Sequence, residues 1–289
     1  MSVANFIPQV WVAALISALR KKLVYAGPMI VNRDYEGEIS EAGDTVRVTS
    51  IGRPTVSNYV PNVTSIVPEK LNTAQRTMVI DQSKYWAFSI DDVDKRQVRG
   101  DLITPAMSEA AYALADLVDQ YVAAFYTSIP SGQVLPDVTT FGSTDDDMGK
   151  KAYRVLVDLR TVMGEKNIPT EGRYVVVPEW FHSLLLLNPN FINSEKYGQN
   201  GNAPLLNGEV GRAAGFNILV SNNNPQPTGS TNFIQAGVNG AISFAEQLNK
   251  TEAYRPESSF SDAVKGLALY GGKVMRPDLL AGVEVTRPS

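Results

Sequence analysis

Residues 44–51 read DTVRVTSI, residues 73–81 read TAQRTMVID, and between them residues 52–72 read GRPTVSNYVPNVTSIVPEKLN. The first segment sets Val46 and Val48 at alternate positions and the second is similarly rich in β-forming residues, so both are predicted strands. The stretch between them carries three prolines and three asparagines and little apolar patterning. A compact domain rarely holds about twenty structureless residues without a use for them. Two strands joined by a long polar tip would project as an arm. A two-stranded arm is marginal by itself in water. It needs another surface, and a neighbouring chain is the natural candidate.

Working outward from this arm, residues 84–90 (KYWAFSI) alternate Trp86, Phe88 and Ile90 with Tyr85, Ala87 and Ser89, the pattern of a half-buried strand. The strongest helical signal follows. Thr104 suits the cap and Pro105 the first helical position. Ala106, Ala110, Ala113, Leu114, Leu117, Tyr121, Val122 and Phe125 then recur at three- and four-residue steps, which predicts a helix of about six turns to Tyr126. Its alanine-rich face lets a neighbour approach closely. Residues 128–144 read as a turn-rich linker. Asp145, Asp146 and Asp147 precede a second predicted helix, 150–163, stopped near Gly164. Three acids there complement the helix dipole; the other reading, cation binding, lacks a second set of ligands.

Residues 173–177 (RYVVV) predict a strand, leading through Pro178 into a helix over 179–187. Residues 188–207 are rich in Asn and Gly and read as a long loop. Residues 215–220 are strand-like, closed by Ser221-Asn222-Asn223-Asn224-Pro225, a strong turn signal. Two short strands are expected in 233–244 around Gly237 to Gly240. The last predicted strands, 265–270 and 279–285, flank Gly271-Gly272 and Arg276-Pro277-Asp278. At the other end, residues 10–19 are apolar and are followed by Arg20, Lys21 and Lys22. A secretory signal has the opposite order, and the run is short of the ~20 residues that span a bilayer. Trp11, Leu15, Ala18, Leu19 and Leu23 form one helical stripe with Pro8 near its start, so an amphipathic helix is expected, packed on its own core or on a neighbouring subunit. Strands and helices in this order make an α+β chain.

Composition narrows the chemistry. The 289 residues are 44% hydrophobic, enough for a sizeable core, and the net charge of -4 is not that of a dedicated nucleic-acid binder. Such a chain could line a container of DNA without sticking to every phosphate. There is no cysteine, which excludes disulfides, thiolate metal sites and a cysteine nucleophile. The single histidine, His182, has no second histidine or cysteine for a metal site, and Ser183 beside it cannot form a triad by adjacency. No serine sits in a GxSxG elbow. Gly271-Gly272-Lys273-Val274 fails as a phosphate loop, since Val274 stands where Ser or Thr must hold magnesium and Leu267 where the first glycine belongs. Gly208, Gly211 and Gly215 lack the dinucleotide spacing. Asp91, Asp92 and Asp94 read as a solvated turn. No catalytic residue, cofactor or metal site is expected.

Four segments carry a resemblance. They are Phe6-Ile7-Pro8-Gln9-Val10-Trp11; Asn32 with Tyr35-Glu36-Gly37-Glu38-Ile39 and Gly43-Asp44-Thr45-Val46; Phe88-Ser89-Ile90-Asp91-Asp92-Val93-Asp94; and Gly211 with Gly215-Phe216 and Ser221-Asn222-Asn223 ahead of Pro225. In order and spacing over nearly the whole chain, they resemble the major capsid proteins of tailed bacteriophages with the Hong Kong 97-type fold. The resemblance implies an N-terminal arm (1–35), an extended β loop (36–83) reaching over the adjacent subunit, and a peripheral domain with a long spine helix (84–144 and 251–289). An axial domain (145–250) would surround the hexamer or pentamer centre. It implies self-assembly into hexamers and pentamers of an icosahedral head enclosing double-stranded DNA, in the virion, after assembly in the bacterial cytoplasm. Separate scaffolding, portal and decoration proteins are implied partners; a membrane is not. Thr55, Val56, Ser57, Asn58 and Tyr59 at the loop tip are the expected intersubunit contacts, and Trp11 a candidate anchor. The alternatives are an encapsulin-like nanocompartment shell, a hydrolase with a carboxylate site assembled by the fold, and another phage structural protein such as a tail-tube subunit.

The chain departs from some relatives. The arm-like segment starts within ten residues of Met1, so a fused scaffolding prefix is not expected. Some relatives weld subunits by a lysine–asparagine isopeptide bond; here the loop has Lys70, but no asparagine follows Lys250. Denaturing electrophoresis of intact particles should therefore show a single monomer band. A ladder of covalent oligomers would contradict this reading.

Overall fold

The computed structural model describes residues 24–34, 45–51, 56, 58, 61, 73–91, 103–139, 141, 144–188, 211–258 and 260–288. In chain order the elements are β1 (Val31–Asn32), β2 (Thr45–Ile51), β3 (Thr73–Val79), β4 (Gln82–Asp91), α1 (Ile103–Ala123), β5 (Val134–Val138), α2 (Asp145–Glu165), β6 (Arg173–Val177), α3 (Glu179–Leu186), β7 (Arg212–Ala213), β8 (Phe216–Val220), β9 (Thr231–Val238), β10 (Ile242–Tyr254), β11 (Ser261–Val274) and β12 (Leu280–Thr286). They form a four-stranded sheet β1-β10-β11-β4, a six-stranded sheet β5-β12-β9-β6-β8-β7 and a separate two-stranded sheet β2-β3.

The four-stranded sheet is built on the long β10–β11 hairpin, with β4 antiparallel along β11 from Gln82↔Tyr270 to Asp91↔Ser261. The expected alternation in β4 is present: Trp86, Phe88 and Ile90 are half-buried, Tyr85, Ala87 and Ser89 exposed. Trp86 and Phe88 stack with centroids 5.7 Å apart. They pack with Val264 and Ala268 against Met107, Ala111, Leu114 and Ala115 of α1. Further along the same helix, Val118, Val122 and Ala123 enter the main core. The buried stripe is therefore rotated from the expected one, on which only Leu114 and Val122 are buried and Ala113 and Leu117 are exposed. Alanines line both faces, so periodicity could not choose between them. The true stripe also includes Asp119, which a purely apolar pattern rejects.

In the six-stranded sheet β6 and the first seven residues of β9 are buried, as expected of strands covered on both faces. Helix α2 covers it with Ala152, Val155, Leu156, Leu159 and Met163. This helix starts earlier than expected: Thr144 is its N-cap, accepting the Asp147 N–H at 3.3 Å, so the three aspartates form its first turn. The chain leaving α3 lies close against it at Gly149, where a Cβ would sit 2.6 Å from the Asn188 nitrogen. The β7–β8 turn holds Ala214 and Gly215 at φ 50° and 86°, the left-handed pair of a tight hairpin.

Three expectations are corrected. Residues 128–144 are not all linker: they include β5, parallel to β12 at the sheet edge, where Pro136 is tolerated because an edge strand has donors to spare. Gly271-Gly272 does not end a strand, since β11 runs through both to Val274. The C-terminal strand β12, expected with the long helix's unit, pairs with β9 and β5 of the six-stranded sheet.

The glycines in β11 answer to steric demand. A Cβ on Gly266 would lie 2.4 Å from the Trp86 ring, and one on Gly271 would lie 2.5 Å from the Val79 carbonyl oxygen. Gly271→Ala should lower the stability of the unassembled subunit by about 1–3 kcal/mol, read as a lower urea midpoint. Gly164→Ala on α2, with nothing within 4 Å of its Cβ, should raise stability by about 0.5 kcal/mol. Equal midpoints for the two variants would refute this account.

Candidate assembly interface

The β2–β3 hairpin is held at its base. Its register runs from Thr45↔Val79 to Ile51↔Thr73, and residues 52–72 connect the two strands. Met78 and Ile80 at the base are buried against Ala245, Leu269 and Met275. Two cationic side chains add reciprocal bonds to backbone: Arg76 Nη1 donates to the Val274 carbonyl at 3.2 Å, and Lys273 Nζ to the Thr77 carbonyl at 2.8 Å. This seat uses the end of the β11 face opposite α1. Farther along that face Tyr85 is 82% exposed, beside exposed Ala87 and Lys265.

Of the expected contact residues, Val56 and Asn58 are exposed, Val56 to 93%. Trp11, Thr55, Ser57 and Tyr59 lie outside the described residues, as do the expected N-terminal helix, Lys70, Asp92 and Asp94, and all but the start of the 188–207 loop. Sequence reading missed a second projecting element, the β10–β11 tip. Phe260 there is 86% exposed and Tyr254 44%. Lys265 pairs with Glu252 at 3.0 Å and lies 5.1 Å from the Tyr254 ring centre, and Arg255 pairs with Asp262 at 3.4 Å. Such exposed pairs contribute little energy singly but fix the cross-strand register. A strand-length pattern with an aromatic on each side of the 255–259 turn was the available signal.

The segment that leads out of the N-terminal region is seated on α1. Tyr25, Ala26, Ile30 and Val31 are fully buried or nearly so. The Asp119 carboxylate, 3% exposed, accepts the Val24 N–H at 3.1 Å and the Ala26 N–H at 3.2 Å. Burial raises the Asp119 pKa above the ordinary carboxylate value, opposed by these backbone donors. Burial likewise raises Tyr25, helped by Tyr174 and Asp119. Arg33 clamps the far side of the segment, donating to the Ala26 carbonyl at 2.8 Å and lying 5.2 Å over the Phe244 ring. At the loop base Tyr121 is pushed up to about 12 by burial and by Asp81 in the β3–β4 turn.

Enzyme-like geometry is not assembled among the described residues. No three His, Cys, Asp or Glu side chains there converge on a metal-sized site, and no helix there is long and apolar enough to cross a membrane. A groove of about 460 Å³ between the end of α1 and the Ser221–Pro225 turn is lined by Gln120, Tyr126, Asn222, Asn223 and Gln226. It presents carboxamides, with no nucleophile beside a base. His182 is buried in α3, packed as a helical residue.

The Asp119 latch is testable by mutation and by pH. Asp119→Ala strands two backbone donors and should cost about 1–3 kcal/mol for each that stays dry. Because the folded pKa is raised, the carboxyl's proton-linked contribution is fully present below its unfolded value and is lost as pH rises through the folded one. The stability difference between the native chain and Asp119→Asn should therefore shift in the native chain's favour as pH falls from neutral, levelling off below about 4. Urea midpoints of both chains across that range give the measurement, and an opposite slope contradicts the assignment.

The model of the phage capsid protein family matches residues 73–283, most of the chain. No curated protein sequence matches it. Among solved structures, the chain is similar to one from Mycobacterium phage Che8 at 27% identity and a TM-score of 0.71, covering 91% of each chain. It is also similar to the capsid structure of the cyanophage P-SCSP1u, at 19% identity and TM-score 0.68 over 89% of this chain and 86% of that one. The mature capsid of bacteriophage PhiM1 gives 15% identity and TM-score 0.69 over 93% and 88%. At those lower identities the likeness shows the fold, the Hong Kong 97-type arrangement of arm, β loop, long helix and two sheets. A β hairpin seated at its base on β11, a spine helix joining two sheets and this family match lead to one conclusion: the chain belongs to the phage capsid protein family and is a structural protein, a major capsid subunit that self-assembles into the virion's shell.

Proposed function

We propose that this chain forms hexamers and pentamers of an icosahedral head around double-stranded DNA and has no catalytic role of its own. One observation carries the reading: among the described residues β2 and β3 pair with each other alone, and Val56 in their long connection is almost wholly exposed. A two-stranded ribbon gains little by standing in water, so its tip rests on an adjacent copy. Thr55, Val56, Ser57, Asn58 and Tyr59 make that contact, and Trp11 anchors the N-terminal arm. Repeated modest contacts suit a shell that must correct errors and rearrange as DNA enters.

The proposed division keeps 1–35 as the arm and 36–83 as the extended loop. The peripheral domain is α1 with β4, β10 and β11, and the axial domain is the six-stranded sheet with α2 and α3. This moves β5 and β12 to the axial side and β10, expected mostly in the axial domain, to the peripheral side, following their pairing. The net charge of -4 fits a wall that holds DNA loosely, through non-specific contact. Separate scaffolding, portal and decoration proteins complete the partner set.

Negative-stain microscopy of the purified full chain, with scaffold supplied where needed, should show closed polyhedral shells or hexamers and pentamers. Uniform monomers across salt conditions would overturn the proposal. Replacing residues 52–72 by a short Gly-Ser turn should leave the subunit folded, by circular dichroism, and abolish shells. Virions should yield nuclease-protected double-stranded DNA.

A further inference from the structure

We propose that the groove between the end of α1 and the Ser221–Pro225 turn seats the cationic side chains of Arg20, Lys21 and Lys22, the basic triplet that closes the apolar N-terminal run of the same chain. The carboxamides lining this groove are already oriented. Gln120 Nε2 donates to Asp116 Oδ2 at 2.8 Å, and Asn223 Nδ2 donates to Asp116 Oδ1 at 2.7 Å. Asn224, 4% exposed, donates through Nδ2 to the Val176 and Phe233 carbonyls at 3.2 Å each. Every one of these bonds requires a donor, which fixes the nitrogen end of each carboxamide. Three carboxamide oxygens are left over, and that of Asn224 is buried with no partner among the described residues.

Leftover oxygens, with the Asp116 carboxylate behind two of the three amides, select for hydrogen-bond donors and positive charge. Helix α1 strengthens that field, since it carries Glu109, Asp116 and Asp119 and no lysine or arginine. An anion would meet acceptors and negative charge. A metal ion needs its ligands converged on one point, and no three acidic or histidine side chains do so among the described residues. A guanidinium or an ammonium has several donors spread in space and serves separated acceptors; the Tyr126 ring, also in the lining, is a further surface for it. Connectivity says which cations arrive. Val24 donates its N–H to Asp119 at 3.1 Å, and Gln120 is the next residue of the helix. Arg20, Lys21 and Lys22 precede Val24 by four, three and two residues. That is a reach of about 7–14 Å of extended chain, before their own long side chains are added. The triplet is thereby delivered to the groove within one copy, with no association needed.

Trypsin cuts after arginine and lysine, so the triplet reports its own seating. In the full-length unassembled subunit, cleavage after residues 20–22 should be slower than in a free peptide of residues 14–30. Cleavage of a transiently opened segment follows the population of the open form. Gln120→Met, which removes an acceptor from an exposed position, and Asp116→Asn, which removes the charge, should each speed that cleavage about tenfold, the effect of losing one charge-assisted hydrogen bond. Glu109→Gln, two turns away on the same helix, should leave the rate unchanged, and circular dichroism should show all three variants folded. Three results would overturn the proposal: cleavage of the native chain as fast as the free peptide, equal rates in the native chain and the two groove variants, or protection that arises only in assembled shells, which would assign the groove to a neighbouring copy.

Discussion

Strand β11 is packed on both faces at once, and the rest of the subunit is arranged around that constraint. One face receives α1 and the Trp86 ring, the other the base of the β2–β3 hairpin. A strand with ordinary side chains at every position would hold both neighbours too far off. Gly266 under Trp86, Ala268 under the helix, Gly271 under the β3 backbone and Gly272 under Phe125 remove that bulk. The glycines cost conformational entropy. The return is close contact of the spine helix, the sheet and the loop base, with dispersion gained over many atoms.

Polar burial makes the second joint. Asp119 sits in an otherwise apolar stripe because the chain leaving the N-terminal region offers it buried N–H groups. A charge in that place is costly unless it is fully bonded. The arrangement therefore favours one seat for the segment over any sliding alternative, whereas apolar contacts alone would tolerate several. Arg33, bonded to the Ala26 carbonyl and lying against Phe244, closes the same seat from the side of β10.

Val56, in the β2–β3 connection, and Phe260, at the β10–β11 tip, are exposed apolar groups with no place in the hydrophobic clusters of the described residues. A rigid body with projecting hairpins suits a lattice protein: stability resides in the subunit, and each intersubunit contact can form and release without unfolding it.

Much of this was legible from residues alone. Alternation in residues 84–90, the valine run of β6, the SNNNP turn and the oversized connection between two strands are local patterns, and local patterns record the face each side chain shows. Together they determined the α+β class, the projecting loop and the absence of a nucleotide or metal motif. The tertiary structure decided what depends on pairs distant in sequence. Periodicity permits two stripes on α1, and only the sheet lying against it selects the one containing Asp119. Gly271-Gly272 reads as a turn until β3 is laid across it. Strand β12 could join either sheet until its hydrogen bonds to β9 and β5 place it. In each case the missing information is the identity of the neighbour, because a residue's pattern reports that it is buried but not what buries it.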